Sequence, residues 1–284
     1  PGDTITIRDA AGNVIASAVV QPDGSWSATP SRALPEGQNA LSLTATDPAG
    51  NESPATPLSL SIDTTGPAAP AAILSPTSDT GITGDGLTRD DTPTLSGSGA
   101  SPGDRITVTM PGTGEVLTAV VAADGSWSVT PSLPLPNGTQ GNASVTATDA
   151  AGNVSPPSSV PLKIDTQAPS AAAVVLPESP LGVNRAEAIS DGGTPLAITL
   201  PADAGVGDTV TTVVTRPGGG TITLSTVLTA AMLPPAQGGT ATGSGPFTIT
   251  QVIADSRLSP DGLWSTSTVI TDPAGNAGAA AAGS

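Results

Sequence analysis

The sequence predicts an all-β fold, built as tandem β-sandwich domains in an elongated array. Short segments alternate apolar and polar residues, as at residues 4–7, 106–109 and 145–148, and this two-residue period is typical of strands with one buried face. No window shows an apolar stripe with the helical period, so we expect almost no helix. Several motifs recur 101 to 102 residues apart, and a single sandwich domain has about 100 residues.

The repeated motifs are turn sequences. Pro-Gly-Asp occupies residues 1–3 and 102–104, and Asp-Gly-Ser-Trp occupies residues 23–26 and 124–127. A third motif, Asp-x-Ala-Gly-Asn, stands at residues 47–51, 149–153 and 272–276. Asp and Asn side chains cap their own turns, and Gly adopts positive φ readily. Each motif therefore predicts a turn between strands.

Three domains are predicted from the spacing of these motifs, with boundaries at residues 1–66, 67–167 and 168–284. The first has no counterpart of residues 92–97, so we expect it to lack its first strand. The third keeps the turn motifs, but Trp264 stands only eight positions before Asp272. We expect this domain to be divergent, with its Trp on a different strand.

The middle domain is predicted to be an immunoglobulin-like sandwich, because seven short strands separated by turns are typical of that fold. If successive strands alternate in direction, residues 102–104 and 124–125 lie at one end of the domain. Residues 149–153 then lie at the other end, where the chain enters. The expected strands are residues 92–96, 105–110, 116–122, 126–130, 132–135, 143–148 and 160–164.

The composition excludes several classes of partner. The net charge is −16, from 24 acidic against 8 basic residues, and such a surface repels the phosphates of nucleic acids. No apolar run approaches the roughly 20 residues that span a bilayer, so we expect no membrane insertion in this segment. Cysteine is absent, which leaves neither disulfides nor thiolate metal sites to stabilise small domains.

Catalysis is not expected. His, Cys and Tyr are absent, so the usual general bases and nucleophiles are missing. A pair of carboxylates could still hydrolyse glycosides, but the Asp residues recur once in each repeat, whereas a catalytic pair is needed once. The three Trp residues are spread one to a domain, and we expect them in the domain cores.

The ordered set of motifs resembles the bacterial immunoglobulin-like repeats of giant repetitive adhesins exported by type I (RTX-type) secretion. Residues 79–81, 85 and 90–97 precede Pro-Gly-Asp, Asp-Gly-Ser-Trp and Asp-x-Ala-Gly-Asn in the same order as in those repeats. Residues 168–284 look like a second repeat type of the same adhesins. The resemblance implies an extracellular or cell-surface structural extender, used in cell adhesion or biofilm formation. Its partners would be neighbouring repeats, with host or surface ligands bound through other regions.

The resemblance further implies Ca²⁺ bound between the domains, which it stiffens. Asp outnumbers Glu nineteen to five, and short carboxylates in loops suit this ion. A solvated acidic linker is the alternative interpretation. The expected ligands are Asp63, Asp79, Asp85, Asp90, Asp91 and Asp149 at the first junction, and Asp165, Glu187, Asp191 and Asp272 at the second.

Two other functions remain open from the sequence. The chain could be a spacer or carbohydrate-binding accessory module of a secreted polysaccharide-degrading enzyme, which predicts rows of exposed aromatic residues. It could also be an adhesive tip, although tips are usually single and this chain is repetitive. Tyr is absent and there are only three Trp residues, so rows of exposed aromatic residues are not expected. This favours the extender.

Overall fold

The computed structural model describes residues 1–175, 193–240, 247–254 and 264–283. The chain divides into two compact units. One contains residues 1–68 together with 147–156, and the other contains residues 69–146 and 157–284.

The first unit contains one antiparallel sheet. Its order is β2-β1-β3-β4, and Ile7, Ile15, Ala16 and Leu41 form a small buried cluster on it. Alternation of apolar and polar residues along each strand places these side chains on one face. The strands are β1 (Thr4–Arg8), β2 (Val14–Val19), β3 (Gly37–Thr46) and β4 (Thr56–Ile62).

The second unit begins with a two-sheet sandwich. One sheet has the order β6-β12-β11-β8-β9 and the other β10-β7-β5, and the fully buried side chains Leu95, Ile106 and Leu162 come from both sheets. The strands are β5 (Ala71–Leu74), β6 (Leu87–Thr88), β7 (Leu95–Ser98), β8 (Arg105–Thr109), β9 (Val116–Val120), β10 (Trp127–Val129), β11 (Gln140–Thr148) and β12 (Ser158–Ile164).

The smaller sheet of this sandwich is organised around Trp127. Strand β10 pairs antiparallel with β7, with Trp127 opposite Gly97, and Trp127 is only 4% exposed. A Cβ atom at position 97 would lie 2.7 Å from the Trp127 ring. Glycine is therefore required where the indole crosses the neighbouring strand.

The C-terminal part of the second unit is also two-layered. Its sheets have the orders β13-β14-β17 and β16-β15-β18-β19, with a core that includes Ile198, Val210, Leu233 and Ile270. The strands are β13 (Ala173–Val175), β14 (Thr194–Thr199), β15 (Thr209–Thr215), β16 (Thr221–Val227), β17 (Thr248–Ile253), β18 (Ser265–Thr271) and β19 (Ala281–Gly283).

Helical structure is confined to two single turns of 3₁₀ helix, Ala230–Met232 and Pro235–Gln237, in the described part of the chain. The all-β prediction is confirmed. None of the helices in the described ranges is long and apolar enough to cross a bilayer.

Two strand predictions in the middle domain were wrong. No strand forms at residues 132–135, and β5 (Ala71–Leu74) was missed. An additional strand ahead of residues 79–91 carries that segment to the opposite end of the sandwich. Residues 79–91 therefore lie at the end of this sandwich where β12 finishes, since β6 runs parallel to β12 with Leu87 opposite Lys163.

The strand predicted at residues 132–135 put two turn motifs at opposite ends, which was also wrong, because that strand does not form. In the first unit Thr4 pairs with Thr46, so Pro-Gly-Asp at residues 1–3 adjoins the turn at residues 47–51. In the C-terminal region Thr209 pairs with Thr271, and Asp208 stands beside Asp272 in the same way. The two motifs share one end of the sandwich.

The sheet of the first unit has an uncovered apolar face in the described structure. Leu60 is 40% exposed, whereas Leu162, at the corresponding place in the second unit, is 1% exposed. Trp26 is 40% exposed, so the prediction that it fills a core was wrong. Among residues 1–68 there is no counterpart of strands β5 and β7, which cover the equivalent positions in the second unit.

Candidate functional site

The Asp-x-Ala-Gly-Asn motif folds into the same turn at its three occurrences. At residues 272–276 the Asn276 backbone N–H donates to Asp272 Oδ1 over 2.8 Å, and Asn276 Nδ2 donates to Asp272 Oδ2 over 2.8 Å. Gly275 has φ 89°, a conformation that only glycine adopts readily. Asp47 with Asn51 and Asp149 with Asn153 repeat these bonds. The turn role predicted from sequence is confirmed.

Hydrogen bonds from Asn keep two of these carboxylates ionised. The side chain and backbone of Asn51 donate to Asp47, and those of Asn153 donate to Asp149, which holds the pKa of both Asp residues below its ordinary value. Donors aimed at a carboxylate favour its charged form. The turns containing Asp47 and Asp149 therefore present negative charge throughout the physiological range.

Two of these turns also reach the Asp that follows the preceding domain's last strand. Asn153 Nδ2 donates to the backbone oxygen of Asp63 over 3.1 Å. Asn276 Nδ2 donates to the backbone oxygen of Asp165 over 2.7 Å. Each pair of predicted ligands is thus brought together by its own Asn: Asn153 contacts Asp63 and Asp149, and Asn276 contacts Asp165 and Asp272.

A cavity of about 300 Å³ opens beside the third turn. Four carboxylates line it, from Asp165, Asp203, Asp208 and Asp272, together with the neighbouring Pro169. Asp208 is only 4% exposed, and its Oδ2 accepts a 2.8 Å hydrogen bond from the Gly205 N–H. One backbone donor leaves further acceptor sites of this carboxylate free.

The surroundings of Asp208 disfavour its charged form. Burial, and then the carboxylates of Asp272, Asp203 and Asp165, raise the pKa of Asp208 against the lowering effect of the Gly205 N–H. Neighbouring like charges and desolvation both disfavour the charged form. A cation in this cavity would stabilise the charged form of Asp208 against both the loss of water and the repulsion from its neighbours.

The donor set fits a hard cation. Carboxylates supply the oxygen ligands that calcium prefers, at about 2.3–2.6 Å, and Asp208 is a buried member with spare acceptor capacity. Within the described ranges no three Asp, Glu, His or Cys side chains lie close enough together to hold a metal as they stand. An ion would have to draw these mutually repelling carboxylates inward.

The four Asp residues between 79 and 91 are grouped differently from the prediction. They were assigned to the first junction with Asp63 and Asp149, but those two belong to the first unit and residues 79–91 to the second. There the Asp165 N–H donates to the Thr88 oxygen over 2.9 Å. Strand β5 precedes this segment and carries it to the end of the sandwich near Asp165.

These carboxylates shape their own loop. Asp79 Oδ2 accepts from the Gly84 N–H over 2.6 Å, Asp85 Oδ1 from the Leu87 N–H, and Asp90 Oδ1 from the Thr92 N–H. Asp91 contributes its backbone oxygen, which accepts from the Leu135 N–H over 2.7 Å. Asp79 Oδ1 is buried and has no hydrogen-bond partner in the described structure.

Asp203 and Asp208 were not among the predicted ligands. Asp208 carried a signal, because Gly-Asp before a strand recurs at residues 2–3, 103–104 and 207–208. Asp203 lies in a loop without a repeated motif, so nothing in the sequence singled it out. Glu187 and Asp191, predicted for the second junction, lie outside the described residues.

Comparison with known proteins identifies the repeats. A family model described as bacterial Ig-like domain matches residues 1–64 and 66–166. No curated protein matches the chain.

Three solved structures of bacterial or large adhesion proteins are similar to this chain at low sequence identity. A tetra-tandem repeat from the extending region of a large adhesion protein is 23% identical, with a TM-score of 0.33, and the match covers 99% of this chain and 65% of that one. A Ca²⁺-stabilised adhesin that helps an Antarctic bacterium bind ice is 24% identical, with a TM-score of 0.39 and coverage of 99% and 64%. A structure from a 1.5-MDa bacterial ice-binding adhesin is 24% identical, with a TM-score of 0.36 and coverage of 99% and 84%. The chain thus spans about two thirds of the length of the first two.

Proposed function

The chain belongs to the bacterial Ig-like domain family, and on that premise we propose that it is part of the extender region of a bacterial surface adhesin. Tandem repetition of one turn and strand pattern supports a spacer that gains length by adding domains. The extender is non-catalytic, lies outside the cell, and has neighbouring repeats as its main partners. Its biological role is in cell adhesion or biofilm formation.

Calcium strengthens this extender. The observation that carries the proposal is the cavity lined by Asp165, Asp203, Asp208 and Asp272. Asp165 ends the middle domain, whereas the other three belong to the domain that follows, so a single ion would cross-link two consecutive domains. The ion would supply positive charge and oxygen coordination, which convert repulsion between carboxylates into attraction.

A second and weaker site is proposed in the first unit. Asp63 and Asp149 approach the same Asn153 amide, which supports a shared ion with fewer carboxylates. Charge count is one of the features that set calcium affinity. The remaining predicted ligands within the described ranges, Asp79, Asp85, Asp90 and Asp91, are proposed to add negative potential near Asp165. The Asp79 Oδ1 atom, which has no hydrogen-bond partner there, is proposed as a further ligand.

Isothermal titration of the whole chain with CaCl₂ tests this proposal. We expect saturable binding with at least one site lost in Asp208→Asn, because that change removes the buried charge. Asp124→Asn is the matched control: Asp124 caps its own hairpin by accepting from Ser126 and does not line the cavity. Identical isotherms for both variants would disprove the assignment of Asp208 as a ligand.

A further inference from the structure

Residues 79–89 form a loop, named here the receptor loop, that is tied to the last strand of the middle domain. The Lys163 N–H donates to the Gly86 oxygen over 2.8 Å and the Asp165 N–H to the Thr88 oxygen over 2.9 Å. Asp79 Oδ2 closes the loop by accepting from the Gly84 N–H. These bonds hold the receptor loop in place at the end of β12.

The turn at residues 272–276 is seated on the receptor loop. The Ile82 N–H donates to the Pro273 oxygen over 3.1 Å, and Thr80 Oγ1 donates to the Ala274 oxygen over 2.6 Å. Arg89 Nη1 donates to the Gly275 oxygen. Three consecutive carbonyl groups of the turn are thus bound by three donors of the loop.

A fourth hydrogen bond comes from the turn itself. Asn276 Nδ2 donates to the Asp165 oxygen over 2.7 Å, just beyond the end of β12. Ala274 is 0% exposed and Asn276 8% exposed, although the corresponding Ala49 and Asn51 of the first unit are exposed. The sequence of the turn does not account for its burial, whereas the contact with the receptor loop does.

Gly81 sits at the closest approach of loop and turn. A Cβ atom there would lie 1.9 Å from the Pro273 oxygen, far inside any permitted contact. Gly84, in the same loop, also has positive φ but has nothing within 4 Å of such a Cβ. The two glycines therefore share a backbone requirement, and only Gly81 is also required by the docked turn.

We infer that the Asp-x-Ala-Gly-Asn turn is a docking element, and that the receptor loop of the preceding domain is the surface it fits. The docked pair fixes two consecutive domains through protein hydrogen bonds alone. This goes beyond the proposed function, because it orders the junction with calcium absent. Calcium in the adjacent cavity then adds a cross-link to domains that are already aligned.

The first unit contains a second instance of one part of this contact. Asn153 Nδ2 donates to the Asp63 oxygen over 3.1 Å, as Asn276 does to Asp165. Within residues 1–68 and 147–156 no group donates to the Pro48, Ala49 or Gly50 oxygens.

Spin-label distance measurement in the full chain tests the inference. The natural sequence has no Cys, so Val120→Cys, 69% exposed on β9, and Ser225→Cys, exposed on β16, give one label on each side of the junction. Distances are recorded by double electron–electron resonance in excess chelator. We expect a narrow distribution in the parent and in Gly84→Ala, and a distribution at least twice as wide in Gly81→Ala.

A second variant keeps the inference testable if Gly81→Ala does not fold. Arg89→Ala removes only the bond to the Gly275 oxygen from an exposed side chain, and we expect an intermediate width with an unchanged melting temperature. Equal widths in the parent, Gly81→Ala and Arg89→Ala would overturn the docking inference. A broad parent distribution that narrows only with CaCl₂ would overturn it too, while leaving the calcium proposal intact.

Discussion

At the scale of the residue, the chemistry of the candidate site is concentrated in Asp208. This residue is 4% exposed, and its carboxylate shares one cavity with three others. Most Asp side chains in the described ranges accept from a nearby backbone N–H, as Asp124 does from Ser126 and Asp208 does from Gly205. Three further carboxylates lining the same cavity are what distinguish Asp208 from the equally buried Asp104, which also accepts from a backbone N–H.

We predict that Asp208→Asn raises the melting temperature of the calcium-free protein at pH 7. Because folding raises the pKa of Asp208, its stabilising form is the protonated one, fully present below the ordinary value of 3.8 and lost as the pH rises through the folded value. Asn mimics that form. Scanning calorimetry in chelator between pH 3 and pH 7 checks this, and we expect the advantage of the variant to vanish at the acid end.

Asp124→Asn serves as the control with the opposite sign. Hydrogen bonds from the Ser126 side chain and backbone lower the pKa of Asp124, so its contribution is present above 3.8 and lost as the pH falls through the lowered value. This variant should melt below the parent at pH 7. If both variants shifted in the same direction, the environment assigned to Asp208 would be incorrect.

At the scale of the element, the three-stranded sheet of the middle domain determines which apolar side chains the domain buries. Strands β5, β7 and β10 cover the apolar face that β8, β11 and β12 present, and Trp127 is the largest side chain that they enclose. In the first unit the same motif leaves Trp26 40% exposed. The two Trp residues have the same sequence context and different surroundings.

We predict that Trp127→Ala destabilises the protein by about 3–5 kcal/mol, the usual result of removing a buried aromatic side chain. Trp26→Ala is the matched substitution in the same Asp-Gly-Ser-Trp motif, and it should change stability by about 0.5 kcal/mol or less, as surface substitutions do. Urea unfolding followed by circular dichroism measures both. Equal losses would contradict the uncovered face of the first unit.

The limits of sequence-based prediction also lie at this scale. Alternating segments located most strands of the middle domain, because a half-buried strand carries a clear two-residue period. Strand β5, with sequence Ala-Ala-Ile-Leu, has no such alternation and follows a Pro-rich segment. Missing it placed the segment at residues 79–91 at the opposite end of the sandwich.

The candidate site could be predicted in part for the same reason. Turn motifs that recur, such as the one containing Asp272, were found because repetition in a sequence is visible without a structure. Asp203 lies in a loop that has no repeated motif and is distant in sequence from Asp165 and Asp272. Only the fold brings it to Asp208 and Asp165.

At the scale of the whole molecule, net charge and repetition act together. A chain with a net charge of −16 repels itself, and repulsion is strongest where carboxylates of two domains meet. Docking of the turn at residues 272–276 aligns those domains, and the proposed ion neutralises the carboxylates beside it. A ligand present at 100 times its dissociation constant stabilises the state that binds it by about 2.7 kcal/mol.

The most direct test of the calcium-strengthened extender is single-molecule stretching of the whole chain in an optical trap. Force–extension curves are recorded in millimolar CaCl₂ and in chelator, for the parent and for Asp208→Asn. The account predicts that calcium raises the force at which the parent unfolds, and that Asp208→Asn loses at least half of this increase. Unfolding forces of the parent that are the same in calcium and in chelator would contradict it.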